Sequence, residues 1–279
     1  MDLPVLALVL VAAAAHAGWN AWLKDRSADL AGFAVLAIGW LVAGISGAVV
    51  VGFPSWASWP YLLATTVVHT LYAVLLIKAY RHADFSLAYP IARGSGPLFV
   101  SLTAPYLLNE HLEGPSQFAV TLLVIGIFMI GLFRDRSSIG GRRAVMLSLG
   151  TGVLIAAYTM IDGEGARSGS GPHVYAAWLF ILTGGALIAL AMQQRKLVFS
   201  SLQFRPAVTG ILAGLLSVIS YWIILWAMTV APTALVAATR ETSILFAALL
   251  GWGFLGEKIR PLRWAGIVIT LIGLILAKL

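Results

Sequence analysis

Apolar runs of about twenty residues follow one another down almost the whole chain, parted by short polar joints. A helix of that length, rising 1.5 Å per residue, matches the roughly 30 Å hydrocarbon thickness of a bilayer. The runs lack strand-like alternation, so a helical bundle is expected rather than a barrel. Composition agrees: 60% of the 279 residues are hydrophobic and only 10% charged, where a soluble domain carries roughly 25% charged residues. The chain reads as an all-α membrane protein. Ten spans fit, over 3–23, 29–51, 57–80, 85–108, 116–133, 143–163, 173–193, 206–229, 232–255 and 261–278. The first is read as a span and not a secretory leader, because only Asp2 precedes it where a leader needs basic residues.

Charge narrows the partners. Lys and Arg number 18 against 11 Asp and Glu, a surplus that in a soluble chain would suggest nucleic acid. Here the basic residues gather in short loops, so membrane lipid is the expected partner and nucleic acid is not. Loops after the odd-numbered spans hold fourteen of them, and the opposite side has only Arg167 and Lys278. By the positive-inside rule the odd loops are cytoplasmic and both termini face outward. There is no cysteine and no Walker-type loop, so neither thiol metal sites nor direct use of ATP is expected, and no cofactor.

The chain also repeats itself. The polar piece RDRSSIGGRR at 134–143 lies at its midpoint, suggesting five-helix halves at 1–136 and 137–279. LLNEHLEGPSQFAVTLLVIG in the first half answers FLGEKIRPLRWAGIVITLIG in the second. One shift of 147 residues lays Glu110 on Glu257, Gly126 on Gly273 and Arg93 on Arg240. Five spans per half is odd, so equivalent loops lie on opposite sides and the repeat is inverted. Such a pair of halves is expected to work as a single chain.

Within FSLAYPIARGSGPLFVSLTAPYLL, the fourth span, Arg93 sits about nine residues or ~14 Å from the nearer end. At that depth an arginine costs at least ~2.5–3.5 kcal/mol unless it faces protein or water. Pro90, Gly94, Gly96 and Pro97 surround it and predict a bent helix. Tyr89, with Ser86, shares its face, and the guanidinium fork suits a carboxylate or phosphonate. In the ninth span Arg240 and Glu241 stand at the related depth. Helix neighbours point about 100° apart, so these two are not expected simply to neutralise each other. Glu241 reads as the only acid deep in a span; it pairs with Arg93, holds a substrate ammonium or exchanges a proton. His16 and Asn20, one turn apart with Trp19 beside them, line a cavity or clamp helices. His69 and Tyr72 share a stripe with Thr65 on the third span. Tyr158 leads to Asp162 near the membrane surface, and Tyr221 with Trp222 offers an aromatic wall for a cation.

The acidic turn before spans five and ten, with the whole-chain repeat, resembles the drug/metabolite transporter superfamily, EamA type. The motifs HAGWNAWLK at 16–24 and YPIARG at 89–94 look like a subgroup found near phosphonate-use genes. The resemblance implies ten helices around a central cavity, with spans five and ten at its rear. It implies export of amino acids, nucleobases or drugs, exchange of sugar nucleotides, or choline uptake. In one respect the chain departs from it: the loop charges place the termini outside, where members keep them in the cytoplasm. The expected function is a secondary transporter in the bacterial inner membrane, exporting small amphoteric metabolites such as amino acids by alternating access. Uptake of choline or an aminophosphonate is the alternative, and a lipid flippase a further one. No spacing resembles a hydrolase or metal motif, so an enzyme is not expected.

Overall fold

A computed structural model describes residues 1–25, 29–82, 85–112, 114–132, 141–195, 204–246 and 261–278. The described residues are overwhelmingly helical. They form α1 (Leu3–Asp25), α2 (Leu30–Val51), α3 (Trp59–His82), α4 (Phe85–Leu107), α5 (Pro115–Leu132) and α6 (Arg142–Arg167). Then come α7 (Gly171–Gln193), α8 (Phe204–Val230), α9 (Thr233–Arg240) and α10 (Pro261–Lys278). Six of these regions, α1 to α3 and α6 to α8, are long and apolar enough to cross a membrane, and α5 and α10 hold shorter apolar stretches.

Their outward faces are greasy in the way a lipid solvent demands. Val49, Val50, Phe53 and Trp56 are each more than four-fifths exposed, which water would penalise and acyl chains reward. Inside, small residues let backbones approach, since apolar area alone cannot drive helices together in lipid. A Cβ on Gly214 of α8 would lie 2.2 Å from the Leu36 carbonyl oxygen of α2. The repeat glycines do the same at the other side of the molecule. A Cβ on Gly126 of α5 would stand 2.3 Å from Thr270 Oγ1 of α10, and one on Gly273 would stand 3.0 Å from Leu123. Thus α5 and α10 form one close pair, while α1 packs on α8, α2 between α7 and α8, and α3 and α4 on α6.

Two helices differ from the sequence expectation. α6 runs on to Arg167, one turn beyond the expected end at 163: Thr159 to Arg167 continue the helix although they include three charged residues and two glycines. α9 stops at Arg240, in the middle of the expected ninth span, and Glu241 and Thr242 form a turn before helix resumes at Ser243. Its start is fixed by Glu110 from the α4–α5 connection. Oε2 of Glu110 accepts from the Thr233 backbone N–H at 2.6 Å, and Oε1 accepts from the Thr233 hydroxyl at 2.8 Å. A carboxylate at a helix N-terminus meets both the free N–H groups and the positive end of the dipole. Arg167 closes the corner, its Nη2 2.6 Å from the same Oε1. Glu257, the repeat partner of Glu110, lies outside the described residues.

Candidate functional site: a two-poled cavity

The first pole is built by α4, α9 and α1. Arg93 and Arg240 are 3% and 1% exposed, and Glu241 between them is wholly buried. Arg93 Nε lies 2.7 Å from Glu241 Oε2 as an ion pair. Arg240 brings Nη2 to 3.0 Å and Nε to 3.1 Å of Glu241 Oε1. The expectation that Arg240 and Glu241 would not neutralise each other is therefore overturned: the Glu241 N–H still donates to the Ala237 carbonyl at 3.3 Å in helical fashion, and the long arginine side chain bridges the angle between neighbours. Two guanidiniums on one carboxylate leave this pole with a surplus of one positive charge. Arg93 Nη2 also reaches His16 Nε2, and the Trp19 indole N–H points at His16 Nδ1 from 3.2 Å. Arginine and indole only donate, and a neutral imidazole accepts at one nitrogen alone, so only one of these two contacts is a full hydrogen bond at a time. An imidazolium could accept neither, and an uncharged His16 adds no charge to the pole.

The second pole was hidden by the misplaced end of α6. Asp162, expected near the surface, is fully buried, about 7–8 Å inside the end of its helix at 1.5 Å per residue. Glu241 is thus not the only deep acid. Donors from three other helices converge on Asp162. Tyr175 Oη donates to Oδ1 at 2.9 Å, Tyr221 Oη donates to Oδ2, and His69 Nε2 lies 3.1 Å from Oδ2. The donors satisfy the carboxylate without an arginine or lysine, so with His69 uncharged the negative charge stands uncancelled.

Between the poles runs an aromatic bridge. The Arg240 guanidinium carbon is 5.8 Å from the centroids of both Tyr158 and Tyr221. Tyr158 stacks on His69 with centroids 4.1 Å apart. A cavity lies alongside, with about 570 Å³ free of protein atoms when its open mouth is included. The centre of a water molecule can sweep about 60 Å³ of it. One water needs roughly 10–15 Å³ on that measure, so the enclosed part suits a solute of a few heavy atoms.

Of the residues singled out in the sequence, His16, Trp19, His69, Tyr72, Arg93, Tyr158, Tyr221 and Arg240 line this cavity, and Glu241 sits behind the arginines. Asn20 does not line it: its amide donates to the His16 carbonyl at 2.8 Å, one turn back on its own helix. Trp222 points elsewhere too, its indole donating to the exposed His173 at 2.9 Å. The Tyr89 side chain lies outside the described residues. Sequence reasoning missed Phe33, Trp40, Phe180, Thr183 and Ser217, which also line the cavity. Most of these read as ordinary core residues in an apolar span. Trp40 carried a usable signal, being a tryptophan in mid-span, and its indole donates to Ser217 Oγ at 2.6 Å. None of the described lining residues comes from α5 or α10.

A bundle of apolar helices around a charged, solute-sized cavity has the build of a membrane transport protein. Comparison with known proteins gives its kinship. Residues 142–279 match the EamA-like transporter family. A Bacillus subtilis (strain 168) protein, "Uncharacterized transporter YwfM", is 26% identical over 223 residues, covering 79% of this chain and 73% of that one. A chain solved by crystallography superposes over 100% of this chain and 99% of its own, with a TM-score of 0.81 at 15% identity, and so shares the fold. The family match and the Bacillus relative together support membership of the drug/metabolite transporter superfamily.

Proposed function

We propose that this chain is a secondary transporter that exports small amphoteric metabolites, amino acids foremost, across the bacterial inner membrane by alternating access. One observation carries the reading: two buried poles of opposite sign flank one small cavity. The surplus positive charge of Arg93 and Arg240 over Glu241 is suited to a carboxylate, presented to a planar fork. The Asp162 pole, reached through His69, is suited to an ammonium. A solute carrying both groups meets both poles and leaves no buried charge unmatched. Residues 1–136 and 137–279 would rock as inverted halves about the cavity, with the close-packed α5 and α10 as the rear. The loop charges favour termini outside the cell.

Thermal-shift screening of the purified protein against amino acids, quaternary amines and phosphonates tests this. A ligand at a hundred times its dissociation constant stabilises by about 2.7 kcal/mol. Amino acids should raise the midpoint in the wild type and not in R93A, which should also lose counterflow in vesicles. Stabilisation by none of them, or stabilisation that survives R93A, ends the reading. One observation favours a second: seven of the fourteen lining residues are Trp, Tyr or Phe, a surface that attracts quaternary ammonium. Choline stabilising R93A as well as the wild type would select that carrier.

A further inference from the structure

We propose that His69 is the site at which a proton and the ammonium group of the solute exclude one another, so that export is exchange for a proton. The inference rests on the amphoteric reading above and adds its coupling ion. Its basis is the geometry of one imidazole. His69 turns Nε2 toward Asp162 Oδ2 at 3.1 Å, and an ionised carboxylate can only accept, so Nε2 carries the hydrogen. Nδ1 then holds the lone pair. Among the described residues nothing donates to it, and the ring lines the cavity with 13% of its side chain exposed. Asp162 accepts from Tyr175, Tyr221 and His69 and does not itself line the cavity, so it fixes the tautomer and supplies charge while His69 meets the solute.

Charge supports the same conclusion. Among the described residues the buried, formally charged side chains are Arg93, Arg240, Glu241 and Asp162, two of each sign, so the empty chamber is neutral when both histidines are. A zwitterion keeps it neutral. A proton on Nδ1 also suits Asp162, but it fills the lone pair and places a positive charge where the ammonium would dock. The groups facing His69 from its neighbours do not alter this. Tyr72 shares its helix, Tyr158 comes from α6 and Tyr221 from α8, none of them charged. Arg240 of α9 stands beyond the two tyrosine rings, and Arg93 and His16 belong to the far pole. The step balances simply: a proton from water binds Nδ1 as one ammonium N–H···N bond is given up, and the reverse reloads the solute. Proton and solute each weaken the other's binding by the same factor, which is the condition for antiport.

The test is nitrogen NMR of the full chain, labelled at its five histidines, in lipid nanodiscs near pH ~6.5, where a free imidazole is part protonated. Glycine, acetate and sodium chloride are the probes. Glycine should lower the doubly protonated share of the His69 ring by roughly fivefold. Acetate brings the negative charge without the ammonium, so it should raise that share, and sodium chloride should leave it alone. H69Q assigns the signal. Should it not fold, H82Q/H111Q/H173Q removes the exposed histidines, and of the two rings left only His69 stacks on a tyrosine. A His69 signal that glycine leaves unchanged, or moves the same way as acetate, overturns the proposal. Glycine counterflow in vesicles separates the two ideas: counterflow with an unmoved His69 sinks the exchange and spares the amino-acid reading. No counterflow and no shift sinks both.

Discussion

A shift of 147 residues lays the segment around Arg93 on the segment around Arg240, yet the two fold differently. In the common register Gly94 stands where Glu241 does, and Pro97 where Ile244 does. The helix-breaking residues are all in the first copy, but α4 runs unbroken from Phe85 to Leu107. The second copy has neither glycine nor proline at the break, yet α9 ends at Arg240. The break coincides with the carboxylate. Arg240 lays two nitrogens on the neighbouring Glu241 where i→i−4 bonding, kept by the Glu241 N–H to Ala237, gives way to i→i−3 bonding at Thr242. The turn satisfies itself locally: Thr242 N–H donates to the Thr239 carbonyl at 3.1 Å, and the Thr242 hydroxyl donates to it at 2.7 Å. In this molecule a membrane helix breaks beside a buried ion pair and not at a glycine or proline.

The sharpest way to break that contrast is E241Q. It leaves two buried guanidiniums side by side with no counter-charge, an effect of about 3–5 kcal/mol when a buried pair loses one member. We expect a large fall in the unfolding midpoint in detergent and no transport. A midpoint near the wild type would mean that the arginines do not depend on Glu241. Next come the arginines themselves. R93A removes one contact to Glu241 and should cost about 1.5–3 kcal/mol, while Arg240 still neutralises the acid. R240A should cost about 1–2 kcal/mol more, because two nitrogen contacts and the attraction to the Tyr158 and Tyr221 rings go together. Equal midpoints for the two variants would dissolve the asymmetry. Smaller again is D162N, which keeps an oxygen acceptor for one tyrosine and should lose about 1–3 kcal/mol. Unlike E241Q it should leave the protein recoverable, with glycine and proton no longer competing at His69.

The asymmetry also marks what the chain made legible. Helical class and the two mid-depth arginines followed from hydropathy and depth, because lipid punishes an unpaired charge wherever it lies. His69 and Tyr158 followed from polar groups spaced along one face, and Tyr221 from an aromatic pair well inside its span. Asp162 did not. The stretch Asp162-Gly163-Glu164-Gly165-Ala166-Arg167 carries three charges and two glycines, the composition of a loop, and only packing under Tyr175 shows why it stays helical. A Cβ on Gly165 would stand 2.2 Å from the Tyr175 ring, so that glycine is there to admit the tyrosine that serves Asp162. Asn20 and Trp222 failed for a different reason. Periodicity tells which residues share a face, but the partner of that face is set by helices distant in sequence.

The smallest effect belongs to the position that mirrors Glu241. G94A adds a methyl group 3.2 Å from the Phe128 ring, a contact that the ring can relieve by moving a few tenths of an ångström. Against that cost stands the gain of replacing glycine by alanine inside a helix, about 0.5–1 kcal/mol. The two nearly cancel, so the midpoint should move by less than about 1 kcal/mol and transport should persist. If instead α4 must bend at Gly94 during the transport cycle, stability would rise while the rate fell. The pair of measurements therefore separates a glycine kept for close packing from one kept for motion, and only the first agrees with an unbroken α4 carrying Arg93 to a carboxylate supplied by the other half.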